Sequence, residues 1–187
     1  GGRPPVRRAS VHPAAGGLAE MLPARIQIDS PTTTAIRDAF ELRQSLETMA
    51  ARLAAQRRTA AQCAAILAYA EESRAAAEAA DRAAFQRSDR DFHLAIGEAS
   101  HSLYVGRYLS YALDLALTLR NLRMVKTPFN PIWVHHHAQL AEAIARQDAD
   151  AAEAVSREHV QAVLAVVAAA EPAEFEAAGT TLRASRG

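Results

Sequence analysis

The sequence predicts an all-α fold, an antiparallel bundle of six to seven helices. Three observations predict it. Half of the 187 residues are apolar, alanine dominates that half, and Ala, Leu, Glu, Arg and Gln all favour helix. Gly and Pro concentrate before residue 31 and near the C-terminus, leaving few breakers in the middle. No run of alternating β-branched residues demands a sheet.

The elements follow in order. Residues 1–30 read as a linker or partly ordered segment, with a short apolar patch at "LAEMLPARIQI" suited to docking on the body. A helical domain is expected over residues 31–171. Its first helix begins at "DSPTTTAIRDAF", with Ser30 or a threonine as cap and Pro31 in the first turn. Thr59 caps a second helix running to about Ala80, and Asp81 opens a third that ends near Ser100–Ser102. A fourth runs from about Leu103 to Lys126 and stops at "TPFNP". Asn130 and Pro131 start the fifth, through about Gln147, and Asp148 caps the sixth, which ends before "EPAEF". The tail, 172–187, has room for a short seventh helix. Short connections make neighbouring helices antiparallel.

Composition narrows the function classes. The formal net charge is zero, which argues against a nucleic-acid surface on these residues. Arg3, Arg7 and Arg8 lie in a Pro/Gly-rich lead and read as a solvated linker. The single cysteine, Cys63, excludes an internal disulfide and suits a reducing cytoplasm. No apolar stretch approaches the ~20 residues of a membrane span. There is no signal core and no initiator Met, so a fragment of a longer chain is expected.

The stretch "SDRDFHLAIGEAS", residues 88–100, holds two aspartates and a histidine in an amphipathic pattern. At about 100° per residue, Asp89, Phe92, His93 and Ile96 share an arc with Phe85. Asp91 falls on the opposite side, near Glu98, as ordinary surface. Asp89 and His93 are i, i+4 and meet on the apolar face. His137 shares an arc with Trp133, Leu140, Ala141 and Ile144, while His135 points outward and His136 lies at the edge. His159 sits among Ala152, Val155, Val163 and Val166.

Three helices thus each turn an imidazole inward, and one adds a carboxylate. Buried without partners, such groups cost several kcal/mol. An Asp89–His93 hydrogen bond, with His137 and His159 on backbone carbonyls, is one solution. A single divalent ion held by Asp89, His93, His137 and His159 is the other; Zn is the first expectation, with Ni, Mn or Fe as alternatives. No HExxH and no paired ExxH helix signature is present. Two arginines also face inward. Arg43 shares its face with Phe40, Glu47, Ala50 and Ala54, where Glu47 can neutralise it. Arg120 lies with Leu113, Ala116, Leu117 and Met124, either snorkelling to the surface or, with Arg43, forming a pocket for a carboxylate.

These residues together resemble the FCD domain, the helical effector-binding C-terminal half of FadR-subfamily GntR transcription regulators. The family's first helix resembles "ELRQSLETMAARLAAQR", with its Arg and Glu at Arg43 and Glu47. Its Asp-x-x-Phe-His motif stands as "DRDFH", Asp89 to His93. Its late motif stands as "HAQLAEAIARQDADAAEAVSREH", His137 to His159. The match runs over roughly residues 34–165. The family's frequent "SHN" is "SHS" here, at Ser100–Ser102. The N-terminal winged helix-turn-helix of the family is not in these residues, since thirty linker-like residues are too few for one.

The resemblance implies a metal held by Asp89, His93, His137 and His159. It implies a small carboxylate or sugar-acid effector touching Arg43, a homodimer, and DNA binding only through the absent winged helix-turn-helix. Arg120 is added to the effector pocket from its inward position alone. The expected function is therefore effector sensing in a cytoplasmic bacterial regulator, with no enzymatic activity and no membrane partner. The alternatives are a metal-dependent hydrolase, a metal-free interaction or dimerisation bundle, and a metal-free ligand pocket like that of the family's acyl-CoA-binding branch.

Overall fold

The computed structural model describes residues 19–22, 25–28, 32–123 and 130–169. Among them, six helices follow a two-stranded hairpin: α1 Thr33–Arg57, α2 Ala60–Glu78, α3 Arg82–Ala99, α4 Leu103–Arg123, α5 Pro131–Ala145 and α6 Ala149–Ala169. The end expected for α4 at Lys126 and the short helix expected in the tail lie outside the described residues. No helix among the described residues is long and apolar enough to cross a membrane.

Five of the six helices start where the sequence supplies a side-chain acceptor. Thr32, rather than Ser30, caps α1 by accepting from Ala35 N at 3.1 Å. Thr59 and Gln62 form a reciprocal capping box on α2. Asp81, Asn130 and Asp148 accept from the first turns of α3, α5 and α6, with Pro131 in the first turn of α5.

Three connections of the same kind reverse the chain. Ala80, His101 and Gln147 stand at φ 55°, 50° and 58°, in the left-handed region. At two of them the hydrogen bonds form a full Schellman pair. Asp81 N donates to Ala76 O and Ala80 N to Ala77 O, and Asp148 N to Ala143 O and Gln147 N to Ile144 O. None of the three residues is a glycine, so each connection carries local strain.

The sequence reading named no strand within residues 1–30, where two short ones pair. β1, Ala19–Leu22, pairs antiparallel with β2, Arg25–Ile28, in a register that joins Ala19 to Ile28 and Leu22 to Arg25. The physical reason lies in "RIQI", which alternates polar and β-branched residues with period two. A run of four is too short to stand out when longer strands are sought.

α1 is the central helix and packs against α3, α4, α5 and α6. α3 and α4 approach closely at Gly97 and Gly106; a Cβ on Gly97 would lie 3.0 Å from Leu109 Cδ2. The apolar interior divides into two clusters. One is built around Ala54, Ile66, Phe92, Leu109, Leu140 and Ile144. The other is built around Ile36, Phe40, Phe85, Trp133, Val160 and Val163.

Candidate metal centre

The polar residues gather at the seam between the two clusters. His137 marks it: its ring lies 4.5 Å from Phe92 of one cluster and stacks at 6.4 Å on Phe85 of the other. The same helical face that buries Phe85 and Phe92 on α3 carries Asp89 and His93 inward, while Asp91 stays exposed. α5 brings His137 and α6 brings His159. Asp89, His93, His137 and His159 are all buried, and each offers one ligand atom within 4.8 Å of the others.

The rings are oriented in detail. His137 Nε2 lies 3.4 Å and His93 Nε2 3.9 Å from the same oxygen, Asp89 Oδ1. Their outward nitrogens meet other groups: His93 Nδ1 is 3.1 Å from Glu47 Oε2, and His137 Nδ1 is 3.0 Å from Ser73 Oγ. His137 Nε2 and both ring nitrogens of His159 are buried without a hydrogen-bond partner. An orphaned buried polar atom costs about 1–3 kcal/mol, and one shared cation would give a partner to His137 Nε2 and to one nitrogen of His159. Two or three imidazoles with a carboxylate are a donor set for first-row divalent ions. The residues present therefore fit a metal ion.

Electrostatics prepare these groups for that role. Burial pushes His137 down to about 3, against the attraction of Asp89. Burial, with His137 and His93 beside it, holds His159 well below the ordinary imidazole range. Both rings are thus neutral near neutral pH, the form in which an imidazole can ligate a metal. Burial alone raises Asp89, but His93, His137, Arg120 and Arg43 outweigh it and keep the carboxyl below its usual range. Glu47 behaves the same way: burial raises it, Arg43 and His93 outweigh that, and its carboxyl falls to about 2.

Arg43 is wholly buried, with Nε 2.5 Å from Glu47 Oε1 and Nη2 3.3 Å from His93 Nε2. Glu47 thus neutralises Arg43, as its spacing allowed, and also braces His93. Arg120 is 7% exposed, so it does not snorkel to the surface. Burial lowers its basicity, Asp89 opposes that, and no ion pair reaches it among the described residues. His135 is exposed as expected. His136, placed at the edge by its arc, is buried instead, its ring 6.0 Å from His159. The reason is that α6 covers that flank of α5. Sequence reasoning missed Ser73 altogether. Its signal was present: Ile66, Ala70 and Ser73 lie at helical spacing on the buried face of α2.

A family model, the FCD domain, matches residues 38–162. The chain belongs to the FCD domain family. Its fold is similar to a solved structure of E. coli McbR/YncC, with a TM-score of 0.70 at 19% identity over 80% of this chain and 76% of that one. At that identity the likeness shows the fold alone. No curated protein sequence matches the chain. Membership of the FCD family supports the coarse functional statement, an effector-binding regulatory domain.

Proposed function

We propose that this FCD domain senses a small carboxylate or sugar acid through a metal centre, within a bacterial transcription regulator of the GntR type. The observation that carries the reading is the cluster of four buried donors, Asp89, His93, His137 and His159, within 4.8 Å of one another. Zinc is the first candidate for the ion, with Ni, Mn or Fe as alternatives that share this donor set. When bound, the metal supplies open coordination positions to a carboxylate oxygen.

The chain's own residues do the rest. Asp89 provides the single anionic ligand, and the three imidazoles leave the site with net positive charge for an anion. Arg43, steadied by Glu47, and Arg120 on the facing helix supply guanidinium groups to grip a carboxylate. The ligands and arginines come from α1, α3, α4, α5 and α6. An effector held there ties five helices together, and its differential affinity for the tightened bundle sets the size of any switch.

The acids available support a regulatory rather than catalytic reading. Among the described residues, Glu47 and Asp89 are the buried carboxylates. One is engaged by Arg43 and His93 and the other belongs to the proposed ligand set, which leaves no free buried carboxylate among the described residues to act as a general base. Homodimerisation belongs to the same proposal. Tyr104, Tyr108 and Tyr111 form an exposed stripe on α4, and Leu42 and Met49 are exposed on α1, which packs beside it. DNA binding would lie in a winged helix-turn-helix outside these residues.

The test is a thermal-shift screen of zinc-loaded protein against small mono- and dicarboxylates and sugar acids. At least one compound should raise the melting temperature, and Arg120→Gln should weaken that rise at fixed compound concentration. A zinc-loaded protein indifferent to every carboxylate contradicts the effector reading.

A further inference from the structure

Ser73 is the one polar side chain that α2 sends into the centre. It is fully buried, and it is 64 residues away from the histidine it meets. Its Oγ lies 2.9 Å from Ala70 O and 3.0 Å from His137 Nδ1. A carbonyl oxygen only accepts, and a hydroxyl has one proton to donate and lone pairs to spare. If the Ser73 proton goes to Ala70 O, Oγ is left to accept from an Nδ1–H of His137. The opposite arrangement puts the imidazole proton on Nε2, which has no hydrogen-bond partner despite Asp89 Oδ1 at 3.4 Å. Only the first arrangement leaves Nε2 without a proton, its lone pair directed to the space beside Asp89 Oδ1.

We propose that Ser73 is a positioning residue for the metal centre: it holds the His137 proton on Nδ1 and keeps Nε2 aimed at the ion. The inference rests on the metal reading above. His93 has the equivalent outward brace in Glu47, whereas neither nitrogen of His159 has a partner. The outer contacts of a metal-bound histidine fix both its tautomer and its ring orientation. In this chain a carboxylate does that for His93 and a neutral hydroxyl for His137. Ser73 thereby links α2, the one helix that contributes neither ligand nor arginine, to the centre.

The experiment compares wild type with Ser73→Ala. Zinc affinity is measured by chelator competition, and the His137 tautomer by nitrogen-15 NMR of the chelator-treated protein at neutral pH. Wild type should bind zinc, and Ser73→Ala should bind about 10- to 100-fold more weakly while keeping its circular-dichroism spectrum. The wild-type ring should carry its proton on Nδ1, and the variant should lose that preference. Equal zinc affinity in the two proteins overturns the role of Ser73 and leaves the metal reading standing. Wild type that binds no zinc overturns both. A wild-type tautomer protonated on Nε2 overturns the inference even if Ser73→Ala fails to fold.

Discussion

Arg43 and Glu47, one turn apart on α1, form an ion pair with less than 4% of either side chain exposed. Its position explains its shape. Glu47 gives one oxygen to Arg43 and turns the other toward His93, while Arg43 reaches past it to the inner nitrogen of the same ring. A single carboxylate therefore sets the orientation of both a guanidinium and an imidazole. Arg43 also lies over the Phe40 ring, at 5.6 Å, which gives its planar face an apolar partner.

That arrangement predicts a strong asymmetry between single and double substitutions. Glu47→Ala leaves Arg43 buried and unpaired and should cost about 3–5 kcal/mol of stability. Replacing both, Arg43→Met with Glu47→Leu, removes the stranded charge and should recover much of that loss. Urea unfolding of the two variants and wild type checks this. A double variant less stable than Glu47→Ala would show that the pair contributes more than mutual neutralisation.

The left-handed connections predict an opposite effect, a gain. Ala80 and Gln147 stand at φ 55° and 58°, where a side chain clashes with its own carbonyl and glycine does not. Ala80→Gly and Gln147→Gly should each stabilise the fold by about 0.5–1 kcal/mol, after allowing for the greater freedom of glycine in the unfolded chain. Thermal melting measures it. A fall in melting temperature in both variants would mean that the side chains there make contacts outweighing the backbone strain.

Much of the fold was legible because helical period and caps speak locally. Asp81, Asn130 and Asp148 announce three helix starts, and the arcs through Phe85, Asp89, Phe92 and His93 separate inward from outward charge on α3. The inward direction of His137 and His159 could be read the same way, one helix at a time. Ser73 could not, because a serine on an alanine-rich helix acquires meaning only from the imidazole that α5 lays against it. The burial of His136 has the same origin, in the neighbouring α6. The strand pair Ala19–Leu22 and Arg25–Ile28 escaped for a different reason: its strands are four residues each, shorter than a periodic pattern needs to declare itself.

The central claim is that Asp89, His93, His137 and His159 hold one ion, and metal content by mass spectrometry on tag-free protein tests it most directly. Wild type should carry about one transition metal per chain, and His137→Ala should lose it while remaining helical. Wild type with no metal, after reconstitution with zinc, nickel and manganese in turn, would contradict the account and leave the three histidines as packing groups.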